Sequence, residues 1–283
     1  MDSPPPLPPL REVIRDHGLR AEKALGQNFL LDQNLTDKIV RLSGKILPET
    51  TLLEIGPGPG GLTRSLLQTP AKKIVAIEFD ARAVLALSSL SQAYSGRLQV
   101  IEGDALAVDF LEVTSPPRAV LANLPYNIST VLLLKWLQQT RNDSSSYSFL
   151  SLMFQKEVAD RILSGHGNKV YGRLSVLAQW LCDVKRLFDL PPSAFTPPPK
   201  VSSTVLHFRP RKLQENAPSF SVMEEILAAA FQQRRKMIRS SLSAYLPSLE
   251  SSGIQPNLRA EDLSVADYVC IAQDVERFRR NKI

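Results

Sequence analysis

Cysteine is scarce in this chain, and its scarcity excludes two classes of protein at once. Cys182 and Cys270 are the two in 283 residues, and they lie far apart. A disulfide framework or a cysteine-built zinc site needs closely spaced pairs, so neither is expected. Histidine is also sparse: His17, His166 and His207 are scattered, which argues against a histidine-based metal site. No apolar run is long enough to cross a bilayer. The opening stretch MDSPPPLPPL has no basic region followed by an apolar one, so it reads as a Pro-rich disordered tail rather than a signal peptide. These absences predict a cytoplasmic protein with no metal and no membrane partner, and a monomer is expected.

What is present is ordinary in bulk. Hydrophobic residues make up 43% and charged residues 22%, as in a globular protein. The net charge of +6 and the pI of about 9.4 fit a polyanionic partner without requiring one. The length favours one large domain with a smaller one attached.

LREVIRDHGL has a helical pattern, followed by a linker around Lys23 to Phe29 and an amphipathic helix capped by Asp32. TLLEIGPGPGGLTRSLL then reads as strand, glycine turn and helix. KIVAIEFD, LQVIEGDAL and RAVLANLPY supply further strands, and VLLLKWLQQ, SFLSLMF and QKEVADRIL continue as helix, strand and helix. Strands alternating with helices predict a parallel sheet covered on both faces, an α/β fold of Rossmann-like type. LPPSAFTPPPKVSSTVLHFRP leads into a last strand, and beyond Arg211 the patterns are helical. The expected divisions are a Pro-rich tail and N-terminal helix over 1–22, a Rossmann-like domain over 23–211 and a helical domain over 212–283.

The glycine turn EIGPGPGGL sets Gly56, Gly58 and Gly60 between strand and helix, where a ligand can approach the backbone closely. Glu78 ends the next strand, about twenty residues on, placed to accept from ribose hydroxyls. Asp104, in EGDAL, adds a second acid at the same edge. Two acids suit a neutral or cationic nucleoside better than a pyrophosphate, which prefers bases and helix amides. S-adenosylmethionine is such a ligand, with Asp104 accepting from its adenine amine.

NLPY, residues Asn123 to Tyr126, ends another strand on that edge. Its chemistry suits methyl transfer to the exocyclic amine of adenine, whose lone pair is delocalised into the ring. The Asn123 side-chain oxygen and the Leu124 carbonyl can each accept one N–H, turning the nitrogen toward tetrahedral geometry. Pro125 fixes the direction of that carbonyl, and Tyr126 offers a face for an extruded base. If stacking is all that Tyr126 does, its hydroxyl is dispensable.

With these residues the chain resembles the bacterial small-subunit (16S) ribosomal RNA adenine dimethyltransferases, the kasugamycin-sensitivity methylases, from about Lys23 onward. LGQNFLLD, EIGPGPGGLT, NLPYNIST, QKEVADRI, YGRLSVLAQ, FTPPPKVSS and FQQRRKMIRSSL carry the likeness. The resemblance implies a class I S-adenosylmethionine-dependent methyltransferase fold, with a mostly parallel seven-stranded sheet and a small C-terminal all-α domain. It implies dimethylation of two adjacent adenosines in the 3′-terminal hairpin loop of that RNA, within the small subunit, during ribosome biogenesis. It places cofactor contacts at Asn28, Leu30, Gly56, Glu78, Asp104 and Asn123, with Gln27 and Gly58 beside them.

Phe195, in SAFTPPPK, is expected to close the base pocket opposite Tyr126. In EEILAAAFQQRRKMIRSSLSA, read as one helix, Leu227, Phe231, Ile238 and Leu242 share an apolar stripe. Lys236 and Arg239 fall on another face, with Arg235 between, and are expected to meet RNA phosphates, whereas Arg234 is expected to pair structurally. Three other readings compete: a large-subunit RNA methylase of the macrolide-resistance type, a non-catalytic RNA-binding assembly factor, and a nicotinamide dehydrogenase.

Overall fold

The computed structural model describes residues 7–19, 27–94 and 96–281. The first six residues of the Pro-rich tail and most of the expected linker, residues 20–26, lie outside that range. The elements begin with α1 (Leu10–Asp16), β1 (Phe29–Leu30), α2 (Gln33–Leu42), β2 (Thr51–Ile55), α3 (Gly61–Leu67), β3 (Lys73–Glu78) and α4 (Ala81–Ala93). They continue with β4 (Leu98–Glu102), α5 (Phe110–Val113), β5 (Arg118–Ala122), α6 (Tyr126–Asn142), β6 (Phe149–Gln155), α7 (Lys156–Leu163), α8 (Arg173–Leu181) and β7 (Cys182–Leu190). Last come β8 (Phe195–Thr196), β9 (Ser203–Pro210), α9 (Phe220–Gln232), α10 (Ile238–Ser241), α11 (Leu246–Ser251) and α12 (Val265–Arg280).

Seven strands form one sheet in the order β4-β3-β2-β5-β6-β9-β7. Pairing is parallel from β4 through β6 and antiparallel between β6 and β9. The near-continuous apolar runs of β2, β3 and β5 follow from burial on both faces, while β4, at the edge, is partly exposed. Helix starts agree with the side chains that precede them. Asp32 accepts from the Asn34 amide and Asp80 from the Arg82 amide, each satisfying a donor that the first turn leaves open. Strand order reverses at β2, with β3 on one side and β5 on the other, and the crevice for a ligand in such a sheet lies outside the carboxyl ends there.

Two compact units make up the chain. One takes Met1–Trp136, Ser145–Lys156 and Lys185–Arg209, and the other Leu137–Ser144, Glu157–Val184 and Pro210–Ile283. The first contains a hydrophobic core that includes Leu52, Leu66, Ile74, Leu121 and Met153. In the second, α9 packs against α8, α10 and α12, and Phe231 lies between the rings of Tyr171 and Tyr268.

The stretch EEILAAAFQQRRKMIRSSLSA is not one helix. α9 stops at Gln232, and a turn over 233–236 precedes the one-turn α10. The cause is a competing backbone partner rather than a breaking residue. Met237 bridges Arg259, and the amides of Ile238 and Arg239 donate to the carbonyls of Leu258 and Pro256 instead of to the preceding turn. Leu227, Ile238 and Leu242 are nonetheless buried. Arg234 donates to the carbonyls of Lys169 and Tyr171, both at 2.7 Å, which is the structural pairing expected of it. Arg235, Lys236 and Arg239 are exposed.

Candidate active site

One cavity lies in the first unit, at the carboxyl ends of β2 to β5. It brings together Gln27, Asn28, Leu30, Gly56, Gly58, Glu78, Asp104, Asn123, Leu124, Pro125 and Tyr126. The remaining residues singled out from sequence are elsewhere. Phe195 does not line the cavity: it pairs with Leu30 in the short β1–β8 ladder and is 3% exposed, packed in the hydrophobic core. Arg235, Lys236 and Arg239 belong to the second unit.

The glycine loop is shaped by close approach. At Gly61 an added Cβ would stand 2.3 Å from the Leu30 carbonyl oxygen, so the start of α3 sits against β1 only because no side chain intervenes. Gly58 has φ near +54°, a conformation that disfavours side chains, and an added Cβ there would lie 2.9 Å from the Phe29 ring.

Glu78 closes the loop from the other side. Its Oε2 accepts from the Gly58 amide at 3.0 Å and its Oε1 from the Asp80 amide at 2.9 Å. Burial pushes this carboxyl upward, and the amides of Asp80, Gly58 and Phe79 oppose the rise. Each carboxylate oxygen can accept more than one bond, so capacity for ligand hydroxyls remains after these contacts. Asp104 is exposed, and its Oδ1 accepts from the Leu106 amide at 2.8 Å. Asp80 is held below the usual carboxylate range by the Arg82 guanidinium, 2.7 Å away.

Asn123 to Pro125 form the link between β5 and α6. The Asn123 side-chain nitrogen donates to the Asn28 carbonyl at 3.1 Å. That contact uses the amide nitrogen as donor and leaves Oδ1 for the acceptor role. Pro125 directly precedes the helix, and its carbonyl accepts from the Ile128 amide, so the motif is also the first turn of α6. Tyr126 is half-buried. Burial pushes its phenol upward, against a hydrogen bond to Ser203, so it remains protonated at neutral pH.

Of the cavity residues that sequence reasoning did not single out, three matter most. Phe29 packs on the glycine loop, and Phe79 lines the cavity with 65% of its surface exposed. Glu54 is the third: it interrupts the apolar strand TLLEI, is 2% exposed, and its Oε2 has no hydrogen-bond partner. An acid inside a doubly buried strand was the available signal, since charges are rarely buried without a partner.

S-adenosylmethionine fits these residues. Glu78 and Asp104 suit a nucleoside, and the glycine-rich loop lets it approach the backbone. Glu78→Ala should weaken its binding by about 1.5–3 kcal/mol, because bonds to an ionised acceptor are lost and the loop loses its tie. Calorimetry checks this, and unchanged affinity would make Glu78 a purely structural acid. Among the described residues no group of three or more His, Cys, Asp or Glu could hold a metal ion, and no helix is long and apolar enough to cross a membrane.

Comparison with known proteins gives the same direction. The family model described as ribosomal RNA adenine dimethylase matches residues 18–276. A protein of Rhizobium etli named ribosomal RNA small subunit methyltransferase A is 52% identical over 95% of this chain and 98% of its own length. Its namesake from a Ruegeria species is 50% identical over 96% and 98%. A dimethyladenosine transferase from Plasmodium falciparum superposes with a TM-score of 0.75 at 26% identity, covering 89% of this chain and 98% of that one. The 23S rRNA methyltransferase ErmE, at 22% identity and a TM-score of 0.64, shares the fold. With the family model spanning nearly all of its length and relatives half identical to it, this chain belongs to the ribosomal RNA adenine dimethylases, a family of S-adenosylmethionine-dependent methyltransferases.

Proposed function

We propose that this protein dimethylates two adjacent adenosines in the 3′-terminal hairpin loop of 16S ribosomal RNA within the small subunit, as a step in ribosome biogenesis. The observation that carries this reading is the meeting of NLPY with the glycine loop and its acids in one cavity, with the Asn123 amide held by the Asn28 carbonyl. The small subunit is the one that the half-identical relatives are named for. A monomer acting in the cytoplasm without a metal completes the proposal.

Asn28, Leu30, Gly56, Gly58, Glu78 and Asp104 would hold the cofactor, which when bound supplies an electrophilic methyl group. Asn123 Oδ1 and the Leu124 carbonyl accept the two N–H bonds of the target amine, freeing its lone pair from the ring. Pro125 fixes the carbonyl, and Tyr126 carries the base on its face. No strong general base is needed, because the methylated amine becomes acidic and sheds its proton to solvent. Alignment is the main contribution. Mass spectrometry of unmethylated small subunits incubated with the protein and S-adenosylmethionine tests the whole reading. Modification of large-subunit RNA instead, or of neither, overturns it.

We assign RNA binding to the helical stretch 212–283, with Arg235, Lys236 and Arg239 meeting phosphates. The reading is supported by three exposed cations within five residues, two of them in a turn outside any helix. Such contacts are sequence-independent and salt-sensitive. Replacing Lys236 and Arg239 together with Gln should weaken subunit binding and flatten the log-affinity against log-salt slope by roughly one to two units, with cofactor affinity unmoved. An unchanged slope would place the RNA surface elsewhere.

A further inference from the structure

Tyr126 does not present a bare ring to the cavity. Its hydroxyl lies 2.6 Å from the Ser203 hydroxyl. Ser203 is fully buried, at the first position of β9 and opposite Gln155, the last residue of β6. Because β9 runs antiparallel, its beginning falls at the sheet edge where β6 ends. The adjoining Ser202 carbonyl accepts from the Lys156 amide at 2.9 Å, so the backbone next to Ser203 is anchored too. Tyr126 is thus held at both ends: its backbone begins α6, and its hydroxyl is tied to the sheet.

A ring tethered at Cα alone rotates about two side-chain torsions, and a hydrogen bond at the far end removes most of that freedom. We propose that Ser203 is a positioning residue for methyl transfer: touching neither substrate nor cofactor, it fixes the plane of Tyr126 on which the acceptor base rests. This rests on the reading of Tyr126 as the stacking platform. It also revises the expectation that the tyrosine hydroxyl is dispensable. The two halves of the contact are not equivalent in stability. Removing the Tyr126 hydroxyl leaves a fully buried Ser203 hydroxyl without that partner, whereas removing the Ser203 hydroxyl strands one on a residue that lines the cavity and can reach water.

The test is a double-mutant cycle on unmethylated small subunits, under single-turnover conditions with saturating S-adenosylmethionine, using Ser203→Ala, Tyr126→Phe and the double variant. Each single change should slow methyl transfer by about fivefold to twentyfold, and the double should be no slower than the worse single, because both remove the same bond. Cofactor affinity should stay within twofold of the parent, and melting temperature should fall more for Tyr126→Phe than for Ser203→Ala. A purely structural role would lower the melting temperature without slowing methyl transfer. A Ser203→Ala rate within twofold of the parent, or a double variant slowed by the product of the two singles, overturns the proposal. Should Ser203→Ala fail to fold, Tyr126→Phe decides: a parental rate refutes the tether. Failure of the broader reading is distinguishable, since the parent itself would then not methylate the subunit.

Discussion

Replacing Asn123 with alanine will slow methyl transfer by about a hundredfold or more, the scale on which removing a preorganised polar contact from a reacting group acts. On the proposed mechanism the substitution removes one of two acceptors on the target amine. It also deletes the donor that the Asn28 carbonyl receives at 3.1 Å, so β1 loses a tie to the end of β5. Asn123→Asp should fare little better, because it keeps an acceptor but sets a carboxylate oxygen against that carbonyl. The measurement is single-turnover methylation of unmethylated small subunits at saturating S-adenosylmethionine, so that any loss of cofactor affinity is absorbed. Near-parental turnover in Asn123→Ala would remove the side chain from the chemistry.

The second large effect concerns stability rather than rate. Glu54 lies 2% exposed in β2, and burial pushes its carboxyl up to about 8, with the charge of Glu78 adding to the rise and the Thr63 hydroxyl opposing it. The sign follows from proton uptake. Below the ordinary carboxylate range both folded and unfolded chains hold the proton. Between there and about pH 8 the folded chain keeps it while the unfolded chain releases it, so stability falls as pH rises. Glu54→Gln abolishes this titration while keeping the shape. The variant should therefore gain on the parent by about 3 kcal/mol between pH 5 and pH 8, with no further gain well above that. Denaturant melts of both proteins across that range give the difference, in which the other titrating groups cancel. Parallel curves would mean that Glu54 is already ionised in the folded protein.

Much of the site was legible because its chemistry is local. EIGPGPGG announces a loop that lets a ligand approach, and the acids ending two successive strands announce its polar partners. NLPY announces an acceptor pair on a stiffened backbone. These are contiguous residues whose torsional limits and hydrogen-bonding capacity depend little on distant chain. Parallel strands place their carboxyl ends at one edge, so the three stretches meet once the alternation of strand and helix is recognised.

What the chain alone left open was decided by residues far apart in sequence. Phe195 beside three prolines reads as a pocket wall, with core packing the alternative, and its pairing with Leu30 buries it among the core residues. The stretch after Gln232 carries no breaker, yet its amides find carbonyls at Pro256 and Leu258, and the helix ends there. Ser203 reads as an ordinary strand residue until Tyr126 comes within 2.6 Å of it. Glu54 reads as a surface-type residue misplaced in an apolar strand until burial leaves one of its oxygens without a partner. In each case the deciding quantity is which distant group satisfies a polar atom or fills a volume. Local propensity does not encode that choice, whereas the conformational limits of glycine and proline and the spacing of strand ends are carried by the chain itself.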